Sequence, residues 1–196
     1  MLPFSEACER NKQPILDVLV DHLAEARCVL EIGSGTGQHA EYFAPLLSHL
    51  TWQPTDVVGN LPAIAARVEA ASFGNLLAPL ELDVASEPWP IASVDAVFSA
   101  NSLHIMSWAH VQHFFRGAGR VLKSGGLLCV YGPFMYDGKH TSHSNAAFDV
   151  SLRHRDPMSG IRDFSDLQKQ ASAQYLQFVV DHQMPANNRL LVWKQA

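Results

Sequence analysis

Short apolar runs alternate with longer amphipathic stretches along this chain, and the alternation predicts its elements. Ile15, Leu19 and Leu23 recur at four-residue spacing, widened by Leu16 and Val20. They predict a helix beginning near Pro14, a residue suited to the first helical turn. The polar lead-in, residues 1–13, reads as an N-terminal cap, either solvated or acting as a functional lid. Cys28 to Ile32 is a short apolar run of the kind that makes a buried strand. Ala40, Phe43, Ala44 and Leu47 then share one helical face between 38 and 47. Further strands are expected at 50–55, 80–84, 94–99 and 127–131, with helices over 61–72 and 111–122. Gly125 and Gly126 mark the turn before the strand at 127. Ser165 with Gln168 has the spacing of a capping box for a helix through Tyr175. Strands at 177–182 and 190–194 close the chain. No helix fits between them, so they must pair as an antiparallel hairpin.

Strand and helix in alternation imply an α/β fold with a mainly parallel seven-stranded sheet and helices on both faces. No linker divides residues 1–196, which read as a single domain. Residues 133–163 are long for a connection after a strand and read as an insertion or lid beside the ligand site. Five alternating units closed by a hairpin resemble the Rossmann-like architecture of class I methyltransferases.

Composition narrows the class. Hydrophobic residues make up 47% of the 196 positions and charged residues 17%, a globular balance. The net charge of −5 argues against nucleic acid as a partner, since such binding draws on a basic face. Cys8, Cys28 and Cys129 are far apart and form no C-x-x-C pair, as expected of reduced thiols. No run is long enough to span a membrane, and residues 1–6 lack the basic start of a signal peptide. A cytoplasmic protein without a membrane partner is expected; the oligomeric state is not legible.

The sharpest chemistry lies at residues 31–37, where Glu31 is followed by Gly33, Ser34, Gly35, Thr36 and Gly37. The motif ends a strand and opens a helix, so its glycines let a ligand approach backbone amides at a helix N-terminus. The dinucleotide fingerprint would need a third glycine at position 38, which is Gln38. A carboxylate at Glu31 would also repel a pyrophosphate and suits an ammonium or sulfonium group. This spacing resembles the first motif of S-adenosylmethionine-dependent methyltransferases. Asp56, at the next strand end, suits the ribose hydroxyls. Asp83 and Val84, at the third, suit the adenine amino group and a ring nitrogen. Asn101 and His104 follow the fourth, where the methionine moiety would lie. His39 and Asn11 complete the cofactor candidates. The product would be S-adenosylhomocysteine.

With these motifs the chain resembles a small family of methyltransferase-like proteins of unassigned substrate. The resemblance runs from Glu9–Lys12 and Pro14–Leu16 through Trp52–Asp56, Asn101–Ile105 and Tyr131–Phe134. It continues over Ser144–Asp149, Gly160–Asp163 and Met184–Asn188. It implies the fold and the cofactor, and it supplies no acceptor. The family tends to carry Trp where this chain has Ser159, which implies a more open or differently shaped acceptor pocket.

For the acceptor, Arg10, Phe148, Arg153, Arg162, Asn187 and Asn188 are the binding candidates. Tyr131, Tyr136 and His104 are the catalytic candidates if a base is used, with His104 favoured as a pocket wall. No Asn-Pro-Pro-Tyr tetrad follows the fourth strand, which tilts the reading towards a small-molecule acceptor. His140 and His143 lie three apart without a third ligand at diagnostic spacing, so no metal is expected. A noncatalytic module that binds S-adenosylmethionine is the alternative function; an NAD-linked oxidoreductase is disfavoured by Gln38.

Overall fold

The computed structural model describes residues 2–196. Met1, the first residue of the expected cap, lies outside the described residues. The chain runs α1 (Glu6–His22), β1 (Cys28–Ile32), α2 (Gln38–Leu46), β2 (Thr51–Asp56), α3 (Leu61–Ala71) and β3 (Leu80–Glu81). It continues as β4 (Val94–Ala100), α4 (Trp108–Val121), β5 (Leu122–Gly132), β6 (Phe134–Tyr136), β7 (Lys139–His140) and α5 (His143–Arg155). The last elements are β8 (Arg162–Asp163), α6 (Phe164–Ser172), β9 (Leu176–Met184) and β10 (Asn188–Gln195).

Seven strands form one sheet in the order β3-β2-β1-β4-β5-β10-β9. The first five pair in parallel, and β10 lies antiparallel between β5 and β9. This is the Rossmann-like class I methyltransferase architecture. Side chains alternate across the sheet, as a pleated strand requires. Leu128 and Val130 face one core with Phe114, Phe115 and Leu167, while Cys129 and Tyr131 face the other with Ile15, Leu19 and Phe43. No helix among the described residues is long and apolar enough to cross a membrane.

The structure departs from expectation at four places. The cap segment is helical: α1 starts at Glu6, capped by the Ser5 hydroxyl on the Cys8 amide, and Pro14 lies inside it. The helix continues past Pro14 because Ile15, Leu16 and Leu19 are buried against the sheet, and tertiary packing overrides the local break. Residues 133–163 are not one loop, since a small sheet, β7-β6-β8, and α5 are built from them. The N-cap of α6 is Asp163, whose Oδ1 accepts from the Ser165 amide at 2.8 Å, so Ser165 begins no capping box. The third strand is only two residues long, leaving Asp83 and Val84 in the turn beyond it.

Candidate functional site

A cavity of about 1090 Å³ opens at the carboxyl ends of β1, β2, β4 and β5, where the strand order reverses. Its floor is the β1–α2 loop. Gly33 has φ +74° and Gly35 φ +57°, both in the left-handed region. A Cβ on Gly33 would stand 2.5 Å from the Ser102 hydroxyl, while one on Gly35 would meet no protein atom within 4 Å. The chain therefore needs glycine at 33 for its own packing and keeps the space over Gly35 clear. Gly37 caps α2 without a side-chain hydrogen bond, leaving the first amides of that helix uncapped.

Asp56 holds this loop in place. Its Oδ2 accepts the Gly35 amide at 2.7 Å, and its Oδ1 accepts the Val57 amide at 2.7 Å and the Asn60 side chain at 2.9 Å. Among the described residues no group fills the second acceptor position of Oδ2.

Glu31 is buried behind the loop. Its Oε2 takes the Trp52 indole at 3.0 Å and the Ser34 hydroxyl at 2.9 Å. Burial pushes its carboxyl up to about 7, opposed by those two hydrogen bonds and aided by the Asp56 charge.

The N-terminal segment roofs the cavity. The Ser5 amide donates to Gln38 Oε1 at 2.5 Å, and Thr36 Oγ1 donates to the same oxygen at 2.9 Å. Arg67 ties three pieces together, donating to the Thr36 carbonyl at 2.8 Å, Glu41 at 2.5 Å and the Pro3 carbonyl at 2.5 Å. One turn further along α1, Asn11 Oδ1 lies 2.7 Å from His39 Nε2. The buried His39 ring stacks on Phe43, and desolvation lowers its pKa to about 4, so it is neutral near pH 7.

The far half of the cavity is built from β4, β5, α5 and the β9–β10 turn. Asn101 adopts φ +57° where β4 ends, and His104 lies three residues on, its ring edge-on to Phe148 at 5.3 Å. Burial, with a smaller push from the Arg162 charge, lowers His104 to about 4. Tyr131, at the end of β5, is raised by burial, with the Asn11 and Asn188 amides beside it acting the other way. Asn145 spends both amide protons, on Thr141 Oγ1 at 2.9 Å and the Asn187 carbonyl at 3.0 Å, which leaves its Oδ1 to accept.

The expected residues thus divide. Gly33, Ser34, Gly35, Thr36, His39, Asp56, Asn101, Asn11, Arg10, His104, Tyr131, Phe148 and Asn188 line the one cavity. Eight others do not line it. Glu31 and Gly37 support its floor. Asp83 closes its own turn, Oδ1 accepting the Ala85 amide at 2.9 Å, and Val84 packs beside it against Trp89.

Tyr136 points to the sheet edge instead, donating to Asp181 at 2.5 Å, and burial with that carboxylate drives its pKa far up. Arg162 is spent on the carbonyls of Leu103 at 3.1 Å, Met158 at 3.0 Å and Met106, which fix the segment after β4. Arg153 pairs with Asp149 at 2.9 Å and lies over Gly160. Asn187 turns its carbonyl to Asn145. Ser159 is buried beneath Ile105, donating to its carbonyl at 3.1 Å. Among the described residues no group of three or more His, Cys, Asp or Glu could hold a metal ion.

Sequence reasoning missed Ser5, Cys8, Asn60 and Ser102, which also line the cavity, and Arg67, which braces it. For the four lining residues the only sequence signal is position, in or near a motif already singled out; Arg67 has none.

A family model described as a protein of unknown function (DUF938) matches residues 2–195. The fold is also that of solved methyltransferases. An O-methyltransferase family protein from Burkholderia thailandensis is 19% identical, with a TM-score of 0.83 over 97% of this chain and 58% of its own. Human N-acetylserotonin methyltransferase, solved in complex with S-adenosylmethionine, is 15% identical, with a TM-score of 0.82 over 97% of this chain and 53% of its own. An O-methyltransferase family 2 protein from Planctomyces limnophilus, solved with apigenin, is 14% identical, with a TM-score of 0.76 over 94% and 62%. The chain therefore spans little more than half the length of each of these proteins.

Proposed function

We propose that this chain, which belongs to the DUF938 family of proteins of unknown function, transfers a methyl group from S-adenosylmethionine to a small-molecule acceptor. The observation that carries the reading is the floor of the cavity. Left-handed glycines at 33 and 35 lie at a strand end, with clear space over Gly35 and Asp56 beside them at the next strand end. The residues fit the cofactor. Ser34, Gly35 and Thr36 can cradle its methionine end, and the unfilled acceptor position on Asp56 Oδ2 suits a ribose hydroxyl. The buried Glu31 carboxyl, balanced near neutrality, gives a positive group in front of it a reason to bind. Gln38, where a dinucleotide site would need glycine, is occupied in holding the roof at Ser5. Asp83 and Val84 stay assigned to the adenine by sequence position; they lie in the turn beyond β3, outside the cavity lining.

Bound there, the cofactor would supply an electrophilic methyl carbon. The protein's share is alignment and exclusion of water. The roof from Ser5 to Asn11 covers the cofactor side, while Tyr131, Phe148 and Asn188 hold the acceptor against it. His104 serves as a wall, because an imidazole with a pKa of about 4 takes few protons at pH 7.

Support for the cofactor comes from the fold shared with methyltransferases, one of them solved with S-adenosylmethionine. Support for a small acceptor comes from a cavity volume slightly above the ~300–1,000 Å³ usual for one ligand, enough for two adjacent ones. The test is incorporation of label from methyl-labelled S-adenosylmethionine into a small-molecule extract, with Asp56→Ala as control. A labelled product that the variant fails to form supports the reading. Cofactor binding with no labelled product from any extract would favour a noncatalytic module.

A further inference from the structure

Resting on the methyltransferase reading, we infer that the acceptor half of the cavity takes an uncharged thiol with an apolar body. Among the described residues the wall there carries no charge free to meet an ionic substrate. Arg162 is committed to three carbonyls, and Arg153 to Asp149, which also takes the Ile161 amide at 2.6 Å. Arg10, at the edge, is solvent-facing and paired with Glu6 at 3.1 Å. A carboxylate or an ammonium entering this space would give up water without finding a partner. What the wall offers instead is apolar surface from Phe148, Ile105, Met106 and Pro133, with Asn145 Oδ1 as a neutral acceptor.

The same wall lacks a base. No carboxylate orients His104, and among the described residues nothing hydrogen-bonds either of its ring nitrogens. Its neighbour is Phe148, and its low pKa agrees with that setting. The nucleophile must then ionise unaided. A phenol, near pKa 10, is about 0.1% ionised at pH 7, and an aliphatic alcohol far less. A thiol as acidic as cysteine, near 8.5, is a few per cent thiolate, and even a weaker thiol gives a thiolate that is intrinsically a strong nucleophile. The acceptor's S–H proton leaves to water. The thiolate lone pair forms the new bond to the methyl carbon, and the old carbon–sulfonium bond breaks. Its electron pair stays on the departing sulfur, which becomes a neutral thioether.

The experiment uses the full chain and five probes that share a phenyl body: 2-phenylethanethiol, 2-phenylethanol, 4-ethylphenol, 2-phenylethylamine and 3-phenylpropanoate. Methyl transfer is expected to the thiol, about 10-fold or more above the phenol, because at a comparable ionised fraction a thiolate is the stronger nucleophile. With a series of thiols, the apparent pKa of kcat/KM should follow each thiol's own ionisation. Calorimetry on protein loaded with S-adenosylhomocysteine gives a readout apart from turnover. The thiol and its methyl thioether should bind, 3-phenylpropanoate should not, and Phe148→Ala should weaken the thiol at least about fivefold. Preference for the phenol, amine or carboxylate, no transfer to any probe, or an apparent pKa that stays fixed across the thiols would overturn the inference. If S-adenosylmethionine itself fails to bind, the methyltransferase reading falls with it; if it binds while the thiol is ignored, only the acceptor class is wrong.

Discussion

Replacing Gly35 by alanine separates what the loop does for the fold from what it does for a ligand. At φ +57° an L-residue costs roughly 1–2 kcal/mol, and no protein atom lies within 4 Å of the new methyl to add to that. For a domain of this length the loss corresponds to a fall in Tm of about 2–8 °C. The methyl would occupy the space that S-adenosylmethionine, if it binds as proposed, would need against the backbone. Losing that packing and one net hydrogen bond, about 1 kcal/mol each, should weaken binding about 30-fold.

Gly138 supplies the control. Its φ is +73°, again with nothing within 4 Å of a Cβ, and it lies in the β6–β7 turn outside the cavity. Gly138→Ala should show the same fall in Tm with cofactor affinity unchanged. Thermal unfolding and calorimetric titration of both variants read the two effects separately. If both variants bind S-adenosylmethionine as the parent does, the ligand does not lie on this loop and the reasoning fails.

Three further outcomes follow from the same geometry. The folded Glu31 carboxyl, raised to about 7 from an ordinary value of 4.5, holds its proton more tightly than the unfolded chain does. Its contribution is therefore complete below pH 4.5 and lost as pH rises through 7: relative to Glu31→Gln, the parent should lose about 3 kcal/mol of unfolding free energy between pH 4.5 and 8. His39 and His104, lowered from 6.5 to about 4, work in the other sense, so apo stability should fall as pH drops from 6.5 to 4, followed by chemical denaturation. Arg162→Ala frees three carbonyls, that of Leu103 in a buried setting, and should cost about 2–3 kcal/mol, seen as a lower Tm that added cofactor does not restore to the parent value.

Much of the sheet was legible because each strand carries its own signal. The run from Cys28 to Ile32 is mostly apolar and is buried on both faces, and the two final strands have no room for a crossover. The floor of the cavity was legible for a related reason: glycine at 33 and acid at 56 are local choices, dictated by backbone sterics and by the amide of Gly35. What escaped was decided by distant contacts. Pro14 marked a helix start that the buried face of α1 overrode. Arg162, in a polar stretch, looked like a substrate ligand. It is instead drawn inward by carbonyls of the segment from 103 to 106, nearly sixty residues away. Tyr136 looked like a base until β9 brought Asp181 to its hydroxyl. Arg67 gave no sign at all, since its three partners come from three separate segments.

Whether the cavity over Gly35 binds S-adenosylmethionine is decided by calorimetric titration of the unmodified protein with S-adenosylmethionine, S-adenosylhomocysteine and NAD. Saturable one-to-one binding of the first two is expected, with no heat from NAD. Heat with NAD alone, or with none of the three, would contradict it.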